Sequence, residues 1–277
     1  MTGWSRTRLF LARELTHALR ARWFLAYAAV FLVGGLLLTA LGSTGSLLGG
    51  YRGYARALAG LTHFAILFVP LMALLPAATS LAEERENGTL EYLLAQPVTW
   101  NQVFLGTWSG VALAVLLALT AGYLLSAGVS VLRGVPLGLI LITYGFLVCL
   151  SLVFVSVGTL LSAVSETRSR ALTMGLAVWL LLAALGSLGA MAAFIRWGIP
   201  EQVLVGWSLL NPVEAFRLGV LTVLDPELQL LGPVGRALTR RYGAGSLVAA
   251  SATSLVLWIV GPVLAGRYAH SLRRDGV

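Results

Sequence analysis

The densest group of ionisable side chains in this 277-residue sequence is Glu83-Glu84-Arg85-Glu86-Asn87-Gly88-Thr89-Leu90-Glu91, closed by Gln96-Pro97-Val98. So much charge in so short a run must lie outside any hydrocarbon layer. Signatures of catalysis are missing elsewhere: there is no His-Glu-x-x-His zinc motif, no Gly-x-Ser-x-Gly elbow and no Cys/His grouping at metal-ligand spacing. A phosphate-binding Gly-x-x-x-x-Gly-Lys loop is impossible, because all 19 basic residues are arginine. If the chain helps to do work on a substrate, another polypeptide must hydrolyse the nucleotide. Soft-metal transport would need repeated thioether, thiolate or imidazole pairs. Met1, Met72, Met174, Met191, Cys149 and His63 are instead scattered, which reads as packing filler, with His63 at the interface. Cys149 has no intramolecular disulfide partner.

The elements that must carry the charged cluster follow from composition. Hydrophobic residues make up 58% of the chain and charged residues 11%, with a mean hydropathy of +0.88. A soluble domain carries about 25% charge to cover its surface, so the excess apolar material must face lipid. Each helical span needs roughly 20 apolar residues. Six such spans are expected, at about 24–41, 61–81, 103–131, 137–164, 171–194 and 246–265, in one all-α domain covering 1–277. Pro70 and Pro76 predict kinks in the second span. Proton- or sodium-coupled transport is not expected, because these spans hold essentially no ionisable residue.

Ahead of the first span, Arg6, Arg13 and Arg20 recur every seven residues opposite Leu11, Leu15, Leu19 and Trp23. That pattern predicts an interfacial helix over 1–23, its arginines on lipid headgroups. The net charge of +8 is therefore assigned to the lipid bilayer and not to nucleic acid. Placing the amino terminus in the cytoplasm puts 11 arginines inside and 8 outside, which favours that orientation and, with six spans, a cytoplasmic carboxyl terminus. The cluster at 82–98 then forms a cytoplasmic loop. Residues 195–245 form an extracytoplasmic segment, in which Asn211-Pro212-Val213-Glu214 and Asp225-Pro226-Glu227 read as two helix starts. Two short amphipathic helices on or near the outer membrane surface are expected there, with Phe216, Val220 and Leu224 on one stripe.

Glu84-Arg85-Glu86-Asn87-Gly88-Thr89-Leu90-Glu91-Tyr92-Leu93-Leu94-Ala95-Gln96-Pro97-Val98 resembles the first cytoplasmic loop of ABC-2 type transporter permeases. The resemblance implies a coupling helix that docks on a separate ABC ATPase subunit, which binds the ATP and magnesium; this chain binds no cofactor. It also implies a homodimer with a second permease copy, in a bacterial or archaeal cytoplasmic (inner) membrane. The residues themselves suit the role, because Leu90, Leu93 and Leu94 form an apolar ridge flanked by acids, ended by Pro97. ATPase contacts are thus expected from Glu83, Glu84, Arg85, Glu86, Asn87, Gly88, Thr89, Leu90, Glu91, Leu93, Leu94, Gln96 and Pro97. A narrower likeness lies in 209–218, where Asn211, Pro212, Glu214, Phe216 and Arg217 are similar to the outer segment of permeases serving nitrous oxide reductase maturation. It implies a periplasmic β-helical accessory protein bound at those residues. Two other readings stay open: a general exporter of a lipid-like or drug-like molecule, and a non-transporting membrane scaffold.

Overall fold

The structure is a computed structural model that describes residues 11–13, 15–16, 22–44, 52–132, 135–185, 201–225, 239 and 241–274. Its regular elements, among the described residues, are all helical. They are α1 (Arg22–Thr44), α2 (Arg52–Glu86), α3 (Thr89–Leu94), α4 (Trp100–Leu132), α5 (Leu137–Val164), α6 (Arg168–Trp179), α7 (Glu201–Leu210), α8 (Pro212–Leu224) and α9 (Ala244–Arg274). A π-helical segment, Leu180–Leu185, continues α6.

Among the described residues, four helices are long and apolar enough to cross a membrane: Thr62–Glu86 within α2, Trp100–Leu132, Leu137–Val164 and Ala244–Ala269 within α9. The expected first span coincides with α1, whose apolar part is Trp23–Gly34. The expected fifth coincides with α6 and its π-helical continuation; its remainder, like most of the expected interfacial helix 1–23, lies outside the described residues. Neither Pro70 nor Pro76 interrupts α2, which runs unbroken for 35 residues. The Thr79 hydroxyl reaches the carbonyls of Leu75 and Pro76, each at 3.2 Å, and Ser80 donates to Ala77 O at 2.9 Å. These are the bonds that serine and threonine hydroxyls return to the preceding turn of their own helix.

Local signals explain where the helices start. Thr99-Trp100-Asn101-Gln102 is a capping box whose glutamine accepts the Thr99 N–H at 3.1 Å, so α4 begins at Trp100. At its other end α2 stops where Gly88 adopts φ 71°, a left-handed conformation that glycine takes without Cβ strain.

The core gathers around α5. Phe154, Val153 and Leu150 are fully buried among Leu74 and Ala77 of α2, Val115 and Leu119 of α4, Phe216 of α8 and Leu255 of α9. The tightest approach is at Gly158, where a Cβ would stand 2.7 Å from Ala77 Cβ and 2.9 Å from Leu74 O. Backbone would have to move to admit a methyl group, and overpacking of this kind costs about 1–3 kcal/mol. Gly145 on the same helix has open space beyond its Cα. Gly158→Ala is therefore expected to lower the thermal midpoint of the detergent-solubilised protein, and Gly145→Ala to leave it unchanged or slightly raised.

Candidate functional site: a cross-tied loop and a buried hairpin

The charged cluster is built into the end of the bundle, not suspended from it. Adjacent residues of α2 carry opposite charges to opposite kinds of helix end. Arg85 caps the carboxyl end of α5, its guanidinium donating to the carbonyls of Ser162 at 3.5 Å, Ala163 at 3.1 Å and Ser165. Glu86 caps the amino end of α6, its carboxylate accepting the Arg168 N–H at 2.8 Å. Thr167 is the side-chain N-cap of the same helix, accepting from the Arg170 N–H at 3.3 Å. Cations suit the negative end of a helix dipole and anions the positive end, so both placements are favourable.

Further ties complete the joint. Glu83 pairs with Arg168 at 3.4 Å, and Glu84 pairs with Arg13 of the amino-terminal region. The Ser162 hydroxyl accepts from two successive amides of α2, Leu81 N–H at 2.9 Å and Ala82 N–H at 2.8 Å. Trp100 donates its indole N–H to Gly266 O at 3.0 Å, fixing α4 to α9 at the same end.

The expected apolar ridge is divided. Leu90 is 2% exposed and packs with Leu81, Trp100, Val103, Phe104, Ala163 and Ala269, with Leu94 against the edge of that cluster. Leu90 is an anchor of the short helix α3, not a surface contact, because α4 and α9 close over it. Tyr92, which the ridge omitted, is the outward side chain at 70% exposure. Asn87, Gly88, Thr89, Glu91, Gln96 and Pro97 are exposed, and Leu93 is half-buried.

The second candidate group departs further from expectation. Asn211 and Pro212 do start a helix: the Asn211 side chain accepts the Val213 N–H at 2.9 Å, with proline at the first helical position. That helix does not lie on a surface. Pro212, Val213, Glu214, Ala215, Phe216 and residues 218–222 are all buried, leaving Arg217 about one-third exposed. Phe216 meets Phe146 of α5 edge to face, ring centroids 6.5 Å apart. Glu214, 2% exposed, pairs with Arg217 at 2.5 Å, one turn along the helix. The second expected helix start, Asp225-Pro226-Glu227, falls largely outside the described residues.

Together α7, Asn211 and α8 form a hairpin whose α8 arm is buried in the bundle, while α7 leaves Val203, Trp207 and Leu210 exposed. Its apex is level with Trp258, fourteen residues into α9, roughly 20 Å from that end at 1.5 Å per residue. Carbonyls at such a depth need partners from protein. Ser254 Oγ donates to Leu209 O at 2.5 Å, and Trp258 Nε1 to Leu210 O at 3.1 Å. Asn211 Nδ2 donates to Leu182 O of the π-helical segment at 2.8 Å.

Of the residues weighed as soft-metal ligands, Met72 and Cys149 pack against the core and Met174 Sδ accepts from Ser165 Oγ at 3.8 Å. His63 is exposed on α2. Met1 and Met191 lie outside the described residues. Sequence reasoning missed Ser162, Thr167, Leu182, Ser254 and Trp258 as partners, although Ser165-Glu166-Thr167 ahead of an apolar run was a readable N-cap signal.

Arg85→Lys keeps the charge but loses the planar fork that serves separate carbonyls. It is expected to destabilise the purified protein by about 1–2 kcal/mol, since bonds to a charged donor are worth roughly 1.5–3 kcal/mol when dry and this one is partly solvated. Amide exchange of residues 162–170 should rise in the variant; unchanged exchange would contradict the capping role.

Comparison with known proteins agrees with this architecture. A family model described as an ABC-2 family transporter protein matches residues 10–275. The chain is 32% identical over 214 residues to a protein of Stutzerimonas stutzeri named "Probable ABC transporter permease protein NosY", covering 74% of this chain and 78% of that one. It is 30% identical over 222 residues to the protein of the same name in Pseudomonas aeruginosa, covering 77% and 80%. A multi-pass helical bundle, a charged loop tied across its end, and a match along nearly the whole chain identify it as a member of the ABC-2 family of transporter proteins, a permease subunit of an ABC transporter.

Proposed function

We propose that the chain is the six-span membrane half of a complex in which a separate ATPase, holding ATP and magnesium, drives motion across a bacterial or archaeal inner membrane. In this reading α1 and the continuation of α6 supply the two further spans, both termini are cytoplasmic, and two permease copies pair. The observation that carries the reading is the cross-tied loop 83–98. Its exposed side presents Glu91, Tyr92 and Gln96, while Arg85, Glu86 and Leu90 root it in α5, α6 and the cluster beneath. A push on α3 would thus reach α4, α5, α6 and α9 at once.

The reading extends to maturation of a periplasmic copper enzyme, nitrous oxide reductase, through the likeness at 209–218 and the relatives named NosY. A periplasmic β-helical partner would then take up the motion. Because Phe216, Asn211 and Pro212 are buried, they would act by shaping the hairpin and not by touching that partner. A general exporter of a lipid-like or drug-like molecule is the competing reading.

Affinity capture of the solubilised protein from its native membrane, with co-purifying chains identified by mass spectrometry, separates these. An ATPase with a secreted β-helical protein supports the maturation role. An ATPase alone supports the general exporter, and neither supports a scaffold. Within such a complex Tyr92→Ala is expected to weaken ATPase association by about tenfold, the roughly 1.4 kcal/mol that a hot-spot tyrosine supplies. Leu90→Asp is expected to lower the yield of folded protein itself, because it buries a carboxylate among Trp100, Val103 and Phe104. Normal folding of Leu90→Asp with selective loss of the ATPase would restore Leu90 as a contact.

A further inference from the structure

Asn211 holds two elements with one planar amide. Its Oδ1 accepts from Val213 N–H at 2.9 Å, fixing the start of α8, and its Nδ2 donates to Leu182 O at 2.8 Å, fixing the end of α6. The residue is 6% exposed, so water does not compete for either bond. At its other end α6 begins on Arg168, whose backbone N–H is held by Glu86 and whose side chain pairs with Glu83. One helix therefore runs from the charged loop to the hairpin apex, fourteen residues or roughly 20 Å along. The remaining apex carbonyls, Leu209 and Leu210, are held by a second helix, through Ser254 and Trp258 of α9. The apex is thus suspended between α6 and α9, and any sliding of one against the other must turn the hairpin or break a bond. The Leu180–Leu185 stretch that meets Asn211 is π-helical, a form that marks a local change of helical register and recurs at functional sites.

We propose that Asn211 is a positioning residue that joins α6 to the α7–α8 hairpin, so that displacement of α6 begun at the charged loop is delivered to the hairpin apex. The inference rests on the proposed coupling to an ATPase and names the joint through which that coupling passes. Ser254 and Trp258 form the fixed side of the joint, and Asn211 the driven side.

The test uses the full complex in lipid nanodiscs, with hydrogen exchange measured by mass spectrometry in the presence and absence of magnesium and a non-hydrolysable ATP analogue. Nucleotide is expected to change protection in two regions of the unmodified protein, the loops 83–98 and 165–170 and the hairpin 201–225. Asn211→Ser and Asn211→Thr both keep an N-cap oxygen, but their side chains are too short to reach Leu182 O. In both, the loop response should persist and the hairpin response should be lost, with nucleotide-free protection of the rest of α8 retained. Ser254→Ala removes an apex bond from the α9 side and should leave the hairpin response in place. A hairpin response that survives both Asn211 substitutions would overturn the proposal. So would its loss in Ser254→Ala, which would mark mere loosening, or a loop response in the unmodified protein that never reaches the hairpin. Absence of any loop response in the unmodified complex would instead overturn the coupling reading, and the proposal with it.

Discussion

In hydrocarbon no water is at hand to satisfy a backbone amide or carbonyl, and this constraint organises the whole molecule. A continuous helix satisfies itself except at its ends, where up to four donors and four acceptors remain open. At several of the described helix ends, a side chain from outside that helix comes to meet the open groups. Arg85 serves the end of α5, Ser254 and Trp258 serve α7, and Asn211 serves α8 and the π-helical extension of α6. These residues do not merely fill space. Each cap is also a tie between two helices, so meeting the constraint fixes how the helices sit against one another.

The same logic explains why a loop rich in charge can be mechanically firm. Surface ion pairs such as Arg168–Glu83, about half exposed on both sides, contribute little stability alone. Charges placed on helix ends do more, because they meet several aligned backbone dipoles and partly dry geometry. Arg85 and Glu86 make the end of α2 a bridge from the last turn of α5 to the first turn of α6. Leu90 then pins the short helix α3 to the cluster below, leaving its opposite side for a partner.

Much of this was legible in the sequence, and the misses have physical causes. The bounds of α5 and the helix start at Asn211-Pro212 follow from apolar run length and capping chemistry, which are local. Burial of Leu90 was not legible, since Leu90, Leu93 and Leu94 differ only in which faces α4 and α9, a relation the local sequence does not carry. The misplacement of α8 is more instructive. Phe216, Val220 and Leu224 were read as one apolar stripe, but Val213, Ala215, Gly219, Leu221 and Thr222 cover the rest of the circumference, and a helix apolar all round is a buried one. Its two charges, Glu214 and Arg217, are three apart and neutralise each other. Spacing of that kind was the available sign that α8 had no need of water.

Burial of α8 inside the bundle is what the other helix ties depend on, and cysteine accessibility tests it directly. In a Cys149→Ser background, single cysteines at Ala215 and Thr222, both buried and away from the Phe216 stripe, would be challenged with a membrane-impermeant maleimide from each side of sealed vesicles. An exposed cysteine at Thr89 serves as the reactive control. The buried arrangement predicts that positions 215 and 222 resist labelling from both sides until the protein is denatured, while position 89 reacts from one side alone. Prompt labelling of 215 and 222 from the side opposite position 89 would return α8 to the membrane surface and contradict the structure-based account.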